Sequence, residues 1–68
     1  MTEFEHFQIT DRDGNRKAQI ETDARWIDVR QAADSLQADR KATVGNLIEL
    51  LTERNFYAEK RRLDEIEL

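Results

Sequence analysis

Two different spacings of apolar residues divide this chain. Over residues 3–22 apolar and polar positions alternate, as in a strand with one buried face. From Val29 onward apolar residues recur at i, i+3, i+4 and i+7, the spacing of one buried helical stripe. The change of period predicts an α+β fold, with an N-terminal antiparallel β-hairpin followed by two to three α-helices, in the order ββαα(α). The hairpin is placed at about 3–22 and the helices at about 28–38, 41–54 and 56–67, within one domain, 1–68.

Asp13-Gly14 suits a two-residue hairpin turn whose central residues need positive φ. With Arg12 opposite Asn15, Ile9 faces Ala18 and Phe7 faces Ile20 on one face. The other face pairs Thr10 with Lys17, Gln8 with Gln19 and His6 with Glu21, and Asp11 meets Arg16 near the turn. A slip of one residue would destroy this sorting.

The first helix is expected from Asp28, which forms an acidic capping box with Gln31, while Ile27 staples onto Ala32. Its stripe is Val29, Ala32, Ala33 and Leu36. An earlier start, capped by Thr22 or Asp23, buries the same stripe and draws Trp26 into the core. Asp39 or Thr43 caps the second helix, whose stripe is Val44, Leu47, Ile48 and Leu51, widened by Leu50. Gly45 inside it costs about 1 kcal/mol relative to Ala, marking either a close approach or a tolerated weak spot. Asn55 reads as a left-handed stop, with Arg54 as C-cap and Phe56 against Leu51. The tail reads as a charged helix with a thin stripe at Phe56, Leu63 and Ile66, either separate or, with no Pro present, continuous with the second helix. Its Lys60–Arg62 run is flanked by Glu59, Asp64, Glu65 and Glu67, the mark of a solvated, salt-bridged face.

Composition narrows the chemistry. A chain of 68 residues sits near the lower limit for a self-sufficient core. It has no Cys and one His, which removes disulfides and the usual zinc clusters as sources of stability. Association with a second copy or another protein is the remaining device, so a homodimer is expected. The net charge of −4 comes from 11 basic and 15 acidic residues, with no basic arm. That balance disfavours general attraction to nucleic acid. No apolar run reaches a membrane span and no signal-peptide pattern is present, so a cytoplasmic location away from membranes is expected.

No residue set reads as catalytic, cofactor-binding or metal-binding, so an enzyme is not expected. His6, beside Phe4 and Gln8 and across from Glu21, has no nucleophile, and Ser35 has no base. Asp11 to Asn15 imitates a calcium loop, but its glycine comes fourth instead of sixth, and Thr22 stands in the place of the bidentate Glu. The pairs Glu3/Glu5 and Asp64/Glu65 lack an apolar setting that would separate their pKa values. Two glycines supply no phosphate-cradling loop.

Residues 26–48, WIDVRQAADSLQADRKATVGNLI, resemble the helix-turn-helix of small excisionase-like and mercury-resistance-regulator-like DNA-binding proteins. The resemblance implies that Asp28 caps the first helix and Ala33 makes its close contact. It implies that Val44 and Ile48 form the buried face of a recognition helix. Arg40, Lys41, Thr43 and Asn46 would then face DNA, Asn46 reading adenine and Arg40 touching phosphate or guanine. Against this stands a surplus of apolar residues, Trp26, Phe56, Tyr57, Leu63 and Ile66, suited to an interface. The expected function is a small non-catalytic protein-interaction or regulatory module acting as a homodimer. The alternative is a helix-turn-helix DNA-binding regulator or excisionase-like protein.

Overall fold

The computed structural model describes residues 4–11, 13–38 and 43–65. It is an α+β fold with an N-terminal hairpin. Strand β1 (Glu5–Thr10) and strand β2 (Arg16–Thr22) lead into helix α1 (Trp26–Ala38) and helix α2 (Val44–Glu53), and strand β3 (Ala58–Arg61) follows. The sheet order is β1-β2-β3, and both pairings are antiparallel. Among the described residues the order is therefore ββααβ: the expected third helix at 56–67 is not formed over residues 56–65, where β3 lies, and residues 66 and 67 lie outside the described residues.

Phe7 faces Ile20, Ile9 faces Ala18, Gln8 faces Gln19 and His6 faces Glu21, as alternation requires. The turn differs from expectation. Thr10 faces Arg16 in place of Lys17, and Asp11 N–H donates to the Asn15 carbonyl at 3.0 Å. Asp11 Oδ1 accepts the N–H groups of Asp13 and Asn15, both at 2.9 Å. This side-chain clamp holds a loop one residue longer than the Asp13-Gly14 turn. Gly14, at φ 85°, closes it by donating to the Asp11 carbonyl at 3.1 Å. The register shift between Ile9 and Thr10 leaves Lys17 as an extra residue on β2 and restores the apolar pairing. The expected partner of Asn15, Arg12, lies outside the described residues.

Helix α1 starts two residues before Asp28. The Arg25 carbonyl accepts the N–H groups of Asp28 and Val29, which puts Arg25 at the cap and Asp28 in the first turn. There Asp28 favours the positive helix end, and its Oδ2 sits 3.6 Å from Arg25 Nε. Trp26 is 58% exposed, so the earlier start does not draw it into the core. Thr43 caps α2 by accepting the Asn46 N–H at 3.2 Å. A Cβ on Gly45 would meet only Thr43 Oγ1, at 3.6 Å, which identifies the glycine as a tolerated weak spot. At the C-terminus Asn55 has φ 67° and donates to Thr52, while Phe56 donates to Leu51, both at 3.0 Å. That is a Schellman stop, and it separates α2 from the tail.

The core lies between β2 and the helices. Ala18 and Ile20 from β2 meet Val29 and Ala32 of α1 and Val44, Leu47 and Leu51 of α2, all buried. Thr22 is also fully buried, with its hydroxyl donating to the Tyr57 carbonyl and accepting the Ala24 N–H. Helix α2 packs against both α1 and β3, and the main neighbour of β1 is β2. The core holds residues of both helices on the face that carries Ala18 and Ile20, so among the described residues no helix covers the other face of the sheet.

Candidate functional site

Alternation decides what stands on the open face. It places Phe4, His6 and Gln8 on the β1 side, Gln19 and Glu21 on β2, and Tyr57, Glu59 and Arg61 on the β3 side. Since β1 and β3 flank β2, the rings of Phe4 and Tyr57 meet across the end of the central strand. Their centroids are 5.2 Å apart at an interplanar angle of 66°, an edge-to-face pair.

Glu21 is the hub of a polar network beside these rings. It accepts from Arg61 Nε at 2.9 Å and lies 3.5 Å from His6 Nε2. Gln19 Nε2 is 3.1 Å from His6 Nδ1, so an accepting Nδ1 leaves the Nε2 proton facing Glu21. Arg61 also approaches Glu59 at 3.7 Å, and the Tyr57 hydroxyl donates to Glu59 at 3.2 Å. Glu21, by hydrogen bond and by charge, holds the Arg61 guanidinium above its ordinary pKa. The negative charge of Glu59 pushes the Tyr57 phenol up, so it stays a neutral donor at physiological pH. Phe4, Glu21, Tyr57, Glu59 and Arg61 line a shallow depression open to solvent. Each charged group there already has an opposite partner. The arrangement offers flat apolar rings beside fixed charges, a surface suited to binding.

The same end of the sheet carries more apolar surface. Phe4 precedes β1, Tyr57 precedes β3, and Trp26 and Ile27 begin α1 shortly after β2 ends. These four side chains are 46–58% exposed. Arg30 stacks over Trp26 with its guanidinium carbon 5.8 Å from the ring centroid and pairs with Asp34 at 3.5 Å.

The residues expected at an interface divide among several places. Trp26 and Tyr57 stand exposed at this end. Phe56 is half-buried against the core, and Leu63 is exposed past the far end of β3. Ile66 lies outside the described residues. Of the expected DNA-facing set, Thr43 uses its hydroxyl on the α2 cap, Asn46 is exposed, and Arg40 and Lys41 lie outside the described residues. Asp28, expected as a cap, is instead a first-turn residue. Phe4 and Arg61 were not foreseen as site residues. Phe4 carried a signal, since it alternates in phase with His6 and Gln8; Arg61 carried none while the tail read as a helix.

Among the described residues no group of three or more His, Asp or Glu side chains is placed to hold a metal ion, and no helix is long and apolar enough to cross a membrane. No protein-family model, curated protein or solved structure matches the chain.

Proposed function

We propose that this chain is a small non-catalytic protein-interaction module that acts as a homodimer and binds its partner through the aromatic end of the sheet. One observation carries the reading: the half-exposed rings of Phe4 and Tyr57 meet edge-to-face on the sheet, and half-exposed Trp26 and Ile27 begin α1 a few residues after β2 ends. Exposed apolar side chains gathered in one place mark interaction surfaces, and Tyr and Trp are favoured at their centres. The surroundings are more acidic than basic, with Glu5, Glu21, Asp23, Asp28 and Glu59 against Arg25, Arg30 and Arg61. The fitting partner is a protein with an apolar patch and a basic rim.

The test compares the wild-type chain with the double variant Phe4→Ala/Tyr57→Ala in quantitative capture experiments. Any protein lost with the variant is purified and titrated against both forms at two salt concentrations. The reading requires at least about tenfold weaker binding by the variant, and weaker wild-type binding at high salt. Equal binding by both forms overturns it.

A further inference from the structure

The two edges of the sheet are built differently. Strand β3 is four residues long, and three of them, Glu59, Lys60 and Arg61, are charged. Short, charged edges resist pairing with another chain. Strand β1 is six residues long, and Phe7-Gln8-Ile9-Thr10 contains no charge and no Pro. Backbone geometry shows what this edge offers. Asp11 N–H points across the hairpin to Asn15, and alternate residues of a strand aim their backbone groups to the same side. Ile9, Phe7 and Glu5 therefore aim theirs at β2. His6, Gln8 and Thr10 aim theirs out of the sheet edge. The other side of β2 obeys the same parity, since Asp23 N–H and the Lys17 carbonyl both point toward the β3 side.

We infer that β1 pairs antiparallel with β1 of a second copy, around a two-fold axis at Gln8, to give one six-stranded sheet. The inference rests on the homodimer reading above and names its interface. Only a register that joins like faces keeps both pairs of helices on one side. With Gln8 opposite Gln8 of the partner subunit, His6 lies opposite Thr10 of the partner subunit. Those are the residues whose backbone groups point outward, so the pairing satisfies them. Between them Phe7 lies opposite Ile9 of the partner subunit, an apolar pair at the close spacing of a non-hydrogen-bonded site. Both side chains are only half-buried within one chain, and both already pack against its core. A shift of two residues toward the N-terminus would set Glu5 against Ile9 of the partner subunit and lose that match. In the favoured register the outer faces join. Phe4 and Phe4 of the partner subunit lie about 26 Å apart along the strands, from eight residues at the usual rise. The dimer thus presents its aromatic cluster twice on one face, so a partner with two matching patches gains avidity.

The absence of Cys from the chain permits a clean test. Sedimentation across a range of concentrations is run on the wild type and on Gln8→Lys, which sets two positive charges face to face while altering only an exposed side chain. Gln8→Cys is exposed to mild oxidant, with Gln19→Cys on the central strand as control, and circular dichroism verifies each fold. The expected results are a wild-type dimer, self-association about fivefold weaker in Gln8→Lys at low salt, and a covalent dimer from Gln8→Cys alone. A dimer that ignores Gln8→Lys and leaves Gln8→Cys uncrosslinked overturns the edge assignment and leaves the homodimer reading standing. A wild type that stays monomeric at every concentration overturns both.

Discussion

The Asp23 carboxylate accepts the backbone N–H of Tyr57 at 2.7 Å, while the Asp23 N–H donates to the Tyr57 carbonyl at 3.2 Å. This double link, 34 residues apart in sequence, ties the end of β2 to the start of β3. Thr22 reinforces it from the core side by donating to the same carbonyl. The return strand is therefore held at Tyr57, the residue just before it, by Thr22 at the end of β2 and by Asp23 just past it, and Tyr57 is set beside Phe4 as a result. Asp23→Ala should lower stability by about 1.5 kcal/mol, the low end for a hydrogen bond to a charged group because this one is exposed. Urea unfolding measures this. A change under about 0.5 kcal/mol would show that the pairing of β3 does not depend on the link.

The two glycines make opposite predictions for the same substitution. Gly14 sits at φ 85° with open space around it, so the cost of a side chain there is conformational. Gly14→Ala should cost about 1 kcal/mol. Gly45 lies in α2, where a methyl group meets only an ordinary contact. Gly45→Ala should add roughly 0.5 kcal/mol by restricting the unfolded chain and favouring the helix. Paired thermal melts decide the signs, and two shifts in the same direction would contradict this account.

Features set by local chemistry were legible in the sequence. The pairing of Phe7 with Ile20 and Ile9 with Ala18 followed from alternation, and the Asn55 stop followed from the need for positive φ near Leu51 and Phe56. The Thr43 cap was also readable. Strand β3 was not. Ala58-Glu59-Lys60-Arg61 consists of good helix formers, and it is extended because β2 offers a free edge and Asp23 holds Tyr57. Those are non-local causes that no window of sequence contains. Missing β3 hid the site as well, since Glu21, Glu59 and Arg61 meet only when β3 lies beside β2. The longer hairpin turn was missed for a subtler reason. Asp13-Gly14 satisfies the two-residue rule, but the Asp11 side chain outcompetes it by binding two N–H groups.

The same Asp11 clamp gives a pH dependence with a definite sign. Chiefly the Asn15 backbone N–H holds the Asp11 carboxyl below its ordinary pKa. A carboxyl lowered on folding contributes stability that is fully present above its unfolded pKa, near 4, and is lost as pH falls through its folded value. Asp11→Ala should therefore be less stable than wild type at neutral pH, and the gap should close as pH falls below about 4. Melting temperatures of both forms across that range test it. A gap that widens in acid would assign the clamp to the wrong protonation state.

Trp26 and Leu47 separate surface from core most sharply. Leu47 is fully buried on the inner side of α2, whereas Trp26 is 58% exposed and touches Arg30 of its own helix. Leu47→Ala should cost about 3 kcal/mol through lost burial and a residual cavity, enough to unfold much of so small a domain. Trp26→Ala should cost under about 1 kcal/mol, the worth of an exposed cation–π contact. As the only tryptophan, Trp26 also reports directly on its surroundings. The free protein should show the red-shifted emission of a solvated indole and be quenched readily by iodide. Partner binding at the aromatic end should shift that emission to the blue and suppress quenching, whereas dimerisation through β1 should leave both unchanged. Emission that turns blue on self-association alone would move the dimer interface from the β1 edge to the start of α1.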